Sequence, residues 1–313
     1  MKFFVFSFLL LPLALCLSSC IEFEEQELVY NHDVKKDEIR MTLRYQGIFG
    51  NLAGGINTQK NPNEKATADK LNQKQIEDLA SVLNGGRAFF FTNWIFEYDR
   101  RALSHTLKEA NNKPAPEGEV FGKPEKNLIE ALMKDVEIEN VGFYKDDDGR
   151  LCGAQTLKLS NASTVISLAN HVITRQMRAK LPDLRKELEE NRDREFSRES
   201  LDLMEGKLKG DFPFIQVEGN LIILQLPMVR SDAQRISEDL LKDLPKGARI
   251  EFRNEALMIK IGGKEDDHGR LWMKCFDGYL PNALNHVQEN HQKLLLKPKK
   301  VNQKLRKFLE GQE

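Results

Sequence analysis

The chain has 313 residues, enough for one large domain or two ordinary ones, each with its own hydrophobic core. Its 47 lysines and arginines nearly balance 48 aspartates and glutamates, so a global electrostatic field for nucleic acid is excluded. Charged residues make up 30% of the sequence and the mean hydropathy is -0.50, values that suit a body in water rather than one buried in a bilayer.

The N-terminal segment has the layout of a secretory signal peptide. Lys2 precedes an apolar run from Phe3 to Leu17 that only Ser7 and Pro12 interrupt. The run is shorter than the about 20 apolar residues that a membrane span needs, and the acidic sequence EFEEQE follows shortly after it. We therefore expect residues 1–19 to be cleaved rather than to stay in the membrane.

The four residues Leu17-Ser18-Ser19-Cys20 resemble the lipobox of bacterial lipoproteins, in which small residues precede a cysteine that is acylated and becomes the new N-terminus. The resemblance implies fatty acyl chains on Cys20, a membrane as partner and an extracytoplasmic location. In Gram-negative lipoproteins an aspartate after the cysteine retains the protein at the inner membrane. Ile21 stands there in this sequence, so the outer membrane is favoured. Ordinary secretion with a nearby cleavage is the alternative.

Two cysteines remain beyond this segment, Cys152 and Cys275. An oxidising compartment would permit a disulfide between them. A large domain with its own core does not need one, so we expect two free, buried thiols.

Strand and helix patterns follow the cleavage site. The runs ELVYNHD and DEIRMTLRYQGIFG predict an antiparallel hairpin, since apolar side chains alternate from Ile39 to Tyr45. A helix is predicted next, with Ile76, Leu79 and Leu83 on one side and an Asn-Gly pair as its stop. We interpret the aromatic run RAFFFTNWIFEYD as buried core.

Beyond residue 127, pairs of strands followed by an amphipathic helix recur. VEIENVGFY and LCGAQTLKLS precede the helix NASTVISLANHVITRQM. FPFIQVE and LIILQLPM flank a Gly219-Asn220 turn and precede a helix that a capping box from Ser231 to Gln234 would open. A third unit holds ARIEFRNEALMIKIGG and KEDDHGRLWMKCF before a helix from Pro281. These patterns predict an α+β fold in which antiparallel hairpins alternate with amphipathic helices packed on one face of the sheet.

The same patterns suggest a domain organisation. We expect an N-terminal α+β region at 20–110, a proline- and glycine-rich linker or loop at 111–127, and a C-terminal α+β region at 128–313. A possible internal repeat in the last region rests on DDDGRL (Asp146–Leu151) and DDHGRL (Asp266–Leu271), which agree at five of six positions.

Residues 175–209 carry dense charge of both signs. Leu181, Leu184 and Leu188 stand at helical spacing within this segment. Because the apolar stripe is short, we interpret it as a solvated helical arm rather than a coiled-coil site.

No motif predicts a metal, a cofactor or a catalytic residue. The adjacent acids of the Asp-Gly turns lack the alternate spacing of a calcium loop. His286 and His291 stand five apart, so on a helix they diverge by about 140° and cannot share one zinc ion, and His171 stands alone. The run GIFGNLAGG lacks the Gly-Lys-Ser/Thr ending of a phosphate loop, and no G-x-S-x-G elbow occurs. We therefore do not expect an enzyme.

Positive charge is concentrated near the C-terminus. A helix after Pro298 is predicted to place Val301, Leu305 and Phe308 on one side. This helix either covers the domain as a solvated element or uses its lysines to contact anionic lipid or an acidic partner. The candidate contact residues are Lys299, Lys300, Lys304 and Lys307.

Together these patterns predict a lipid-anchored cell-envelope protein that acts by binding or scaffolding, without a nucleic-acid partner. A small-ligand or glycan binder and an extracytoplasmic hydrolase are the alternatives. A binder of partners should show an exposed contact surface, whereas a hydrolase should show convergent polar groups in a cleft.

Overall fold

The computed structural model describes residues 21–50, 73–90, 96–112, 121–190, 196–263, 268–275 and 294–312. Helices and antiparallel sheets follow one another along these segments, which confirms the predicted α+β class.

Five strands form an antiparallel sheet, the large sheet. They are β1 (Ile21–Asp33), β2 (Glu38–Gly50), β5 (Val136–Lys145), β6 (Leu151–Leu159) and β11 (Gly269–Lys274). Their order is β11-β1-β2-β6-β5. The predicted β1–β2 and β5–β6 hairpins are confirmed.

Four further strands form the small sheet, and two more pair by themselves. The small sheet holds β7 (Ile215–Glu218), β8 (Leu221–Pro227), β9 (Ala248–Arg253) and β10 (Ala256–Gly262), in the order β7-β8-β10-β9. The separate pair is β3 (Arg87–Phe90) with β4 (Phe96–Asp99). The predicted turn between β7 and β8 is confirmed, with Gly219 at a positive φ of 58°.

Seven helices lie within the described residues. They are α1 (Gln73–Asn84), α2 (Arg100–Asn112), α3 (Lys123–Asp135), α4 (Ala162–Glu190), α5 (Arg198–Leu208), α6 (Arg230–Asp243) and α7 (Pro298–Leu309).

The first core lies between one face of the large sheet and the elements α1, β3 and α3. Leu43 and Ile48 of the sheet pack there with Leu79, Phe89 and Ile129. The prediction that α1 buries Ile76, Leu79 and Leu83 is confirmed, as is the burial of Phe89 and Tyr98 in the aromatic run. Residues 91–95 of that run lie outside the described residues.

Helix α7 covers the opposite face of the large sheet, so the expectation of helices on one face only is wrong. Its Val301 and Leu305 pack against Cys152 and Ala154. Successive side chains of a strand point to opposite faces. Because β6 is buried at seven consecutive positions from Leu151, it needs a covering layer on each side.

The second core joins the small sheet to α4, α5 and α6. Leu181 of α4, Met204 of α5 and Leu240 of α6 are buried in it. The interpretation of 175–209 as a solvated arm is therefore wrong, because the apolar residues of this segment pack into the core. Helix α4 continues through Pro182 and includes residues to Glu190.

The start of α6 also differs from prediction. Val229 is its N-cap, and no side chain caps the helix, so the predicted capping box from Ser231 to Gln234 is wrong. Asp232 instead accepts hydrogen bonds from the start of α5, at Ser197 N and Ser200 Oγ.

The large sheet contains strands from both of the regions that the sequence predicts as separate. Strands β1 and β2, from 20–110, pair with β11 and β6, from 128–313. Helical residues occupy both ends of the expected linker at 111–127, since α2 ends at Asn112 and α3 begins at Lys123. Residues 113–120 lie outside the described segments.

The two similar Asp-Gly sequences have different surroundings. The first closes the β5–β6 hairpin, where Asp146 Oδ1 accepts a 2.8 Å hydrogen bond from Arg150 N. The second runs into the first residues of β11, which pairs with β1 in the large sheet and not with β10. A repeated hairpin therefore does not explain the second sequence. Asp266 and Asp267, the helix expected from Pro281, and His286 and His291 lie outside the described residues.

Candidate functional site

Helix α7 is amphipathic and docked along its length. Leu296 N donates a 2.8 Å hydrogen bond to Phe143 O, which holds the approach to the helix against β5. Leu305 is 1% exposed, and Leu309 O accepts a 3.2 Å hydrogen bond from Asn31 Nδ2. Phe308, predicted on the buried side, is only half-buried, and Leu309 is buried in addition to Val301 and Leu305.

The structure brings the four candidate lysines together on the outer face of α7. All are exposed: Lys299, Lys300, Lys304 and Lys307. Lys304 Nζ lies 2.6 Å from Glu139 Oε1, but both side chains are more than half exposed, so water and salt weaken this pair. Within the described part of the chain the other three make no ion pair, and their charge faces solvent. We call these four residues the lysine face.

The strand register shows which way α7 runs. Ile21 pairs with Gly50 at one end of the large sheet, and Lys145 pairs with Leu151 at the same end. We call it the Ile21 end. Leu296, just before α7, bridges to Tyr144, which the register places level with Glu25 of β1. Helix α7 therefore begins nearer the Ile21 end, and it ends near Asn31 at the opposite end. Lys299 and Lys300 are thus the members of the lysine face nearest the Ile21 end.

Acidic side chains at the Ile21 end surround one arginine. Arg150 Nε lies 2.8 Å from Asp146 Oδ2, and its Nη1 lies 3.2 Å from Glu24 Oε2. Burial lowers the pKa of Arg150, but hydrogen bonds to Asp146 and Glu24 outweigh burial and raise the pKa above its ordinary value. The turn acids therefore act as partners of Arg150. No group of three or more metal-ligating side chains occurs among the residues that the structure describes.

A second candidate site is a cleft of about 420 Å³ between α4 and the strands that it joins. Helix α4 contributes one polar wall, and the β1–β2 hairpin and the segment before β7 contribute the others. The α4 residues are Ser163, Ile166, Ser167, Asn170, His171 and Thr174; the others are His32, Asp37, Asp211, Phe212, Pro213 and Val217.

Two hydrogen-bonded contacts fix the cleft walls. Asp37 accepts from Ser163 N at 2.9 Å and from Ser163 Oγ at 2.6 Å, so it caps the start of α4 from the β1–β2 turn. Asn170 pairs with Ile215 as another strand would, since its Nδ2 donates to Ile215 O at 2.9 Å and its Oδ1 accepts from Ile215 N at 2.8 Å. The Ser163 hydroxyl is thus used in holding Asp37 at the start of α4.

His32 joins the large sheet to the small one at the cleft. Its backbone N donates a 2.8 Å hydrogen bond to Asn220 Oδ1, and its Nδ1 lies 3.1 Å from Gly219 O. Because a carbonyl oxygen only accepts, a hydrogen bond at this contact requires a proton on Nδ1.

No disulfide joins Cys152 to Cys275, as predicted. Cys152 is buried under α7, and burial raises the pKa of its thiol to about 12. Cys275 is only half-buried, which departs from the expectation of two buried thiols.

The sequence predictions included the lysine face but not the cleft. His171, which stands alone in the sequence, is exposed at the cleft wall. His32, His171 and Asp211 are too far apart in sequence for a spacing motif. The sequence did contain one indication of the cleft, because polar residues stand at helical spacing and so share one face of α4. They are Ser163, Ser167, Asn170 and Thr174.

Within the described residues no helix is both long and apolar enough to cross a bilayer. Cys20 lies outside those residues. The chain matches no protein-family model, no curated protein and no solved structure, so its function has to be argued from its residues and their geometry.

Proposed function

We propose that this protein is a lipid-anchored component of the cell envelope that acts by binding or scaffolding. In this proposal fatty acyl chains on Cys20 hold it at a membrane, with the outer membrane favoured by Ile21. The lysine face then contacts anionic lipid head groups or an acidic envelope protein. The observation that carries the proposal is the docked helix α7, which directs four lysines to solvent while its apolar side is buried.

The position of β1 supports this arrangement. The strand begins at Ile21, immediately after the proposed acylation site, so no flexible tether would separate the sheet from the lipid. The Ile21 end would therefore lie close to the bilayer, and Lys299 and Lys300 would be the members of the lysine face nearest to it. Each lysine near an anionic surface contributes about 1 kcal/mol of attraction, and this attraction falls off within about 10 Å at 0.1 M salt.

Metabolic labelling with a radioactive fatty acid tests the anchor. Wild-type protein should take up the label and sediment with membranes, whereas Cys20→Ala should lose both properties, because acyl chains provide about 0.8 kcal/mol per buried CH₂. Cys16→Ala, which changes a cysteine within the predicted signal peptide, is the matched control and should label normally. Label retained by Cys20→Ala would disprove acylation at this residue.

Vesicle binding tests the lysine face. The full-length chain in detergent, with Lys299, Lys300, Lys304 and Lys307 changed to Gln, should bind vesicles containing anionic lipid at least about tenfold more weakly than wild type. A control with the same loss of charge replaces four exposed lysines elsewhere: Lys35, Lys108, Lys180 and Lys209.

The two quadruple variants should be equally stable, because exposed charges usually alter stability by less than about 0.5 kcal/mol each. The difference in vesicle binding between them should shrink as salt is added. Equal vesicle binding at low salt would rule out head-group contact by α7. Co-purification from envelope extracts with the same two variants then tests an acidic protein partner, and equal recovery would rule out the lysine face altogether.

A further inference from the structure

The cleft beside α4 is built from groups that are already held in place. Asp37 and Asn170 use their polar side-chain atoms to fix α4 to the β1–β2 turn and to β7. Phe212 contacts the fully buried ring of Phe214 edge-on, with ring centroids 5.0 Å apart. A ligand entering this cleft would therefore meet formed walls, as is usual for small-molecule sites.

The charges around the cleft disfavour an anion. Two carboxylates, those of Asp37 and Asp211, lie among the described residues that line it, and none of these lining residues is a lysine or an arginine. A phosphate or a carboxylate group would meet like charge without a permanent cation to offset it. The lysine face, on the other side of the large sheet, does not contribute to the cleft.

A cationic or purely apolar ligand fits the cleft less well than a neutral polar one. Asp37 already accepts two hydrogen bonds from Ser163 at the start of α4, so a cation would have to share this carboxylate with the helix. The imidazoles of His32 and His171 also line the space. An apolar ligand would strip water from the hydroxyl and imidazole groups without replacing their hydrogen bonds.

Hydroxyl-rich ligands match the hydrogen-bonding and apolar groups that line the cleft. Ser167 both donates and accepts, the His171 imidazole has one nitrogen of each kind, and Asp211 accepts. Phe212 and Val217 supply an apolar surface beside these groups. A sugar ring presents the same combination, because its hydroxyls donate and accept while its C–H groups form apolar patches.

The cleft also lies far from the Ile21 end. His32 is eleven residues along β1 from Ile21, about 36 Å at the rise of an extended strand. If Cys20 holds the Ile21 end at a membrane, the cleft lies well away from that membrane.

We propose that this cleft is a binding site for a neutral saccharide, with Ser167, His171 and Asp211 as hydrogen-bonding residues and Phe212 as the apolar contact. The proposal does not depend on the lysine face or on acylation of Cys20.

An array of immobilised neutral oligosaccharides, printed beside sulfated oligosaccharides and polyamines, tests the site. The full-length chain in detergent should bind at least one neutral oligosaccharide and neither of the charged groups. Ser167→Trp fills the cleft from an exposed helix position and should abolish binding. Thr164→Trp adds the same ring to the same helix at an exposed residue outside the cleft lining, and should bind as wild type.

Polar contacts are tested by His171→Ala and Asp211→Asn, which should each weaken binding by about tenfold. Asp183→Asn, at an exposed residue of α4 remote from the cleft, is the control and should bind as wild type. The proposal is overturned if no neutral oligosaccharide binds, if only charged compounds bind, or if Ser167→Trp binds as wild type does. The four-lysine variant of α7 should bind the array normally, so this test and the vesicle test fail independently.

Discussion

Asp232 connects the starts of α5 and α6 through a carboxylate that is 5% exposed. Its Oδ2 accepts hydrogen bonds of 2.6 Å from Ser197 N and 2.5 Å from Ser200 Oγ, and Ser200 Oγ accepts a 3.0 Å bond from Val229 N. Burial opposes the charge, but the hydrogen bonds from Ser200 and Ser197 outweigh burial and lower the pKa of Asp232. The ionised form is thus favoured in the folded protein.

Replacing Asp232 with Asn should lower the free energy of unfolding by about 2 kcal/mol at pH 7, because bonds to a charged acceptor are lost. A lowered pKa stabilises the fold above the unfolded value of about 3.9 and stops doing so as pH falls through the lower folded pKa. The gap between wild type and Asp232→Asn, measured by urea unfolding, should therefore narrow below about pH 4.

The exposed Asp183 provides the control for this measurement. Asp183→Asn should change the free energy of unfolding by less than about 0.5 kcal/mol at either pH. A gap for Asp232→Asn that is the same at pH 7 and pH 3 would mean that shape, and not charge, accounts for the loss.

The partners of individual side chains were the hardest feature to predict from the sequence. The spacing of Ser231 and Gln234 predicts a capping box and gives Asp232 no role. In the structure Asp232 bonds to Ser197 and Ser200, more than 30 residues earlier. Sequence spacing identifies local capping bonds and carries no information about distant ones. The cleft residues escaped prediction for the same reason.

Secondary-structure elements were predicted more accurately because their hydrophobic periods are local. Alternation identified the β1–β2 hairpin, and helical spacing identified α1 and α7. The wrong expectation was that helices cover only one face of the sheet. In β6 the small apolar residues Cys152 and Ala154 face α7, while Leu151 and Leu157 face the first core. Apolar residues on both faces of LCGAQTLKL were the available signal for a second covering layer.

The docking of α7 leads to a prediction about stability. Leu305 is 1% exposed and packs against β5 and β6, so Leu305→Ala should lower the free energy of unfolding by about 3 kcal/mol in urea. Lys304→Gln, one residue away on the exposed side, removes only the solvent-exposed pair with Glu139 and should cost less than about 1 kcal/mol. Equal effects of the two substitutions would contradict a docked helix.

At the scale of the whole molecule, nonlocal pairing explains what the sequence patterns missed. Strand β11 follows β10 in the chain but joins the large sheet beside β1, so the expected domain boundary and repeat do not match the topology. Side-chain alternation shows which face of a strand is buried and does not identify its partner strand. The chain thus crosses from the small sheet at β10 to the large sheet at β11.

Tyr30 links the two sheets at this crossing. It is 1% exposed in β1, and its hydroxyl lies 2.9 Å from Asn220 O and 2.8 Å from Ile261 O of the small sheet. Gly269 makes room for the ring, because a Cβ at that position would lie 2.1 Å from Tyr30 Cζ. The hydroxyl thus adds hydrogen bonds between two sheets whose cores also meet at Ala248.

Removing this hydroxyl should loosen the small sheet selectively. In Tyr30→Phe the loss of about 1 kcal/mol of hydrogen bonding should make the amides of β8 and β10 exchange with deuterium about fivefold faster, while those of β2 and β6 keep their rates. Tyr98→Phe is the matched control, because its hydroxyl donates a 3.2 Å bond to Leu132 O within the first core. It should not accelerate exchange in the small sheet. If Tyr30→Phe changes both sheets equally, the molecule opens as one unit and the hydroxyl does not set the coupling between its two cores.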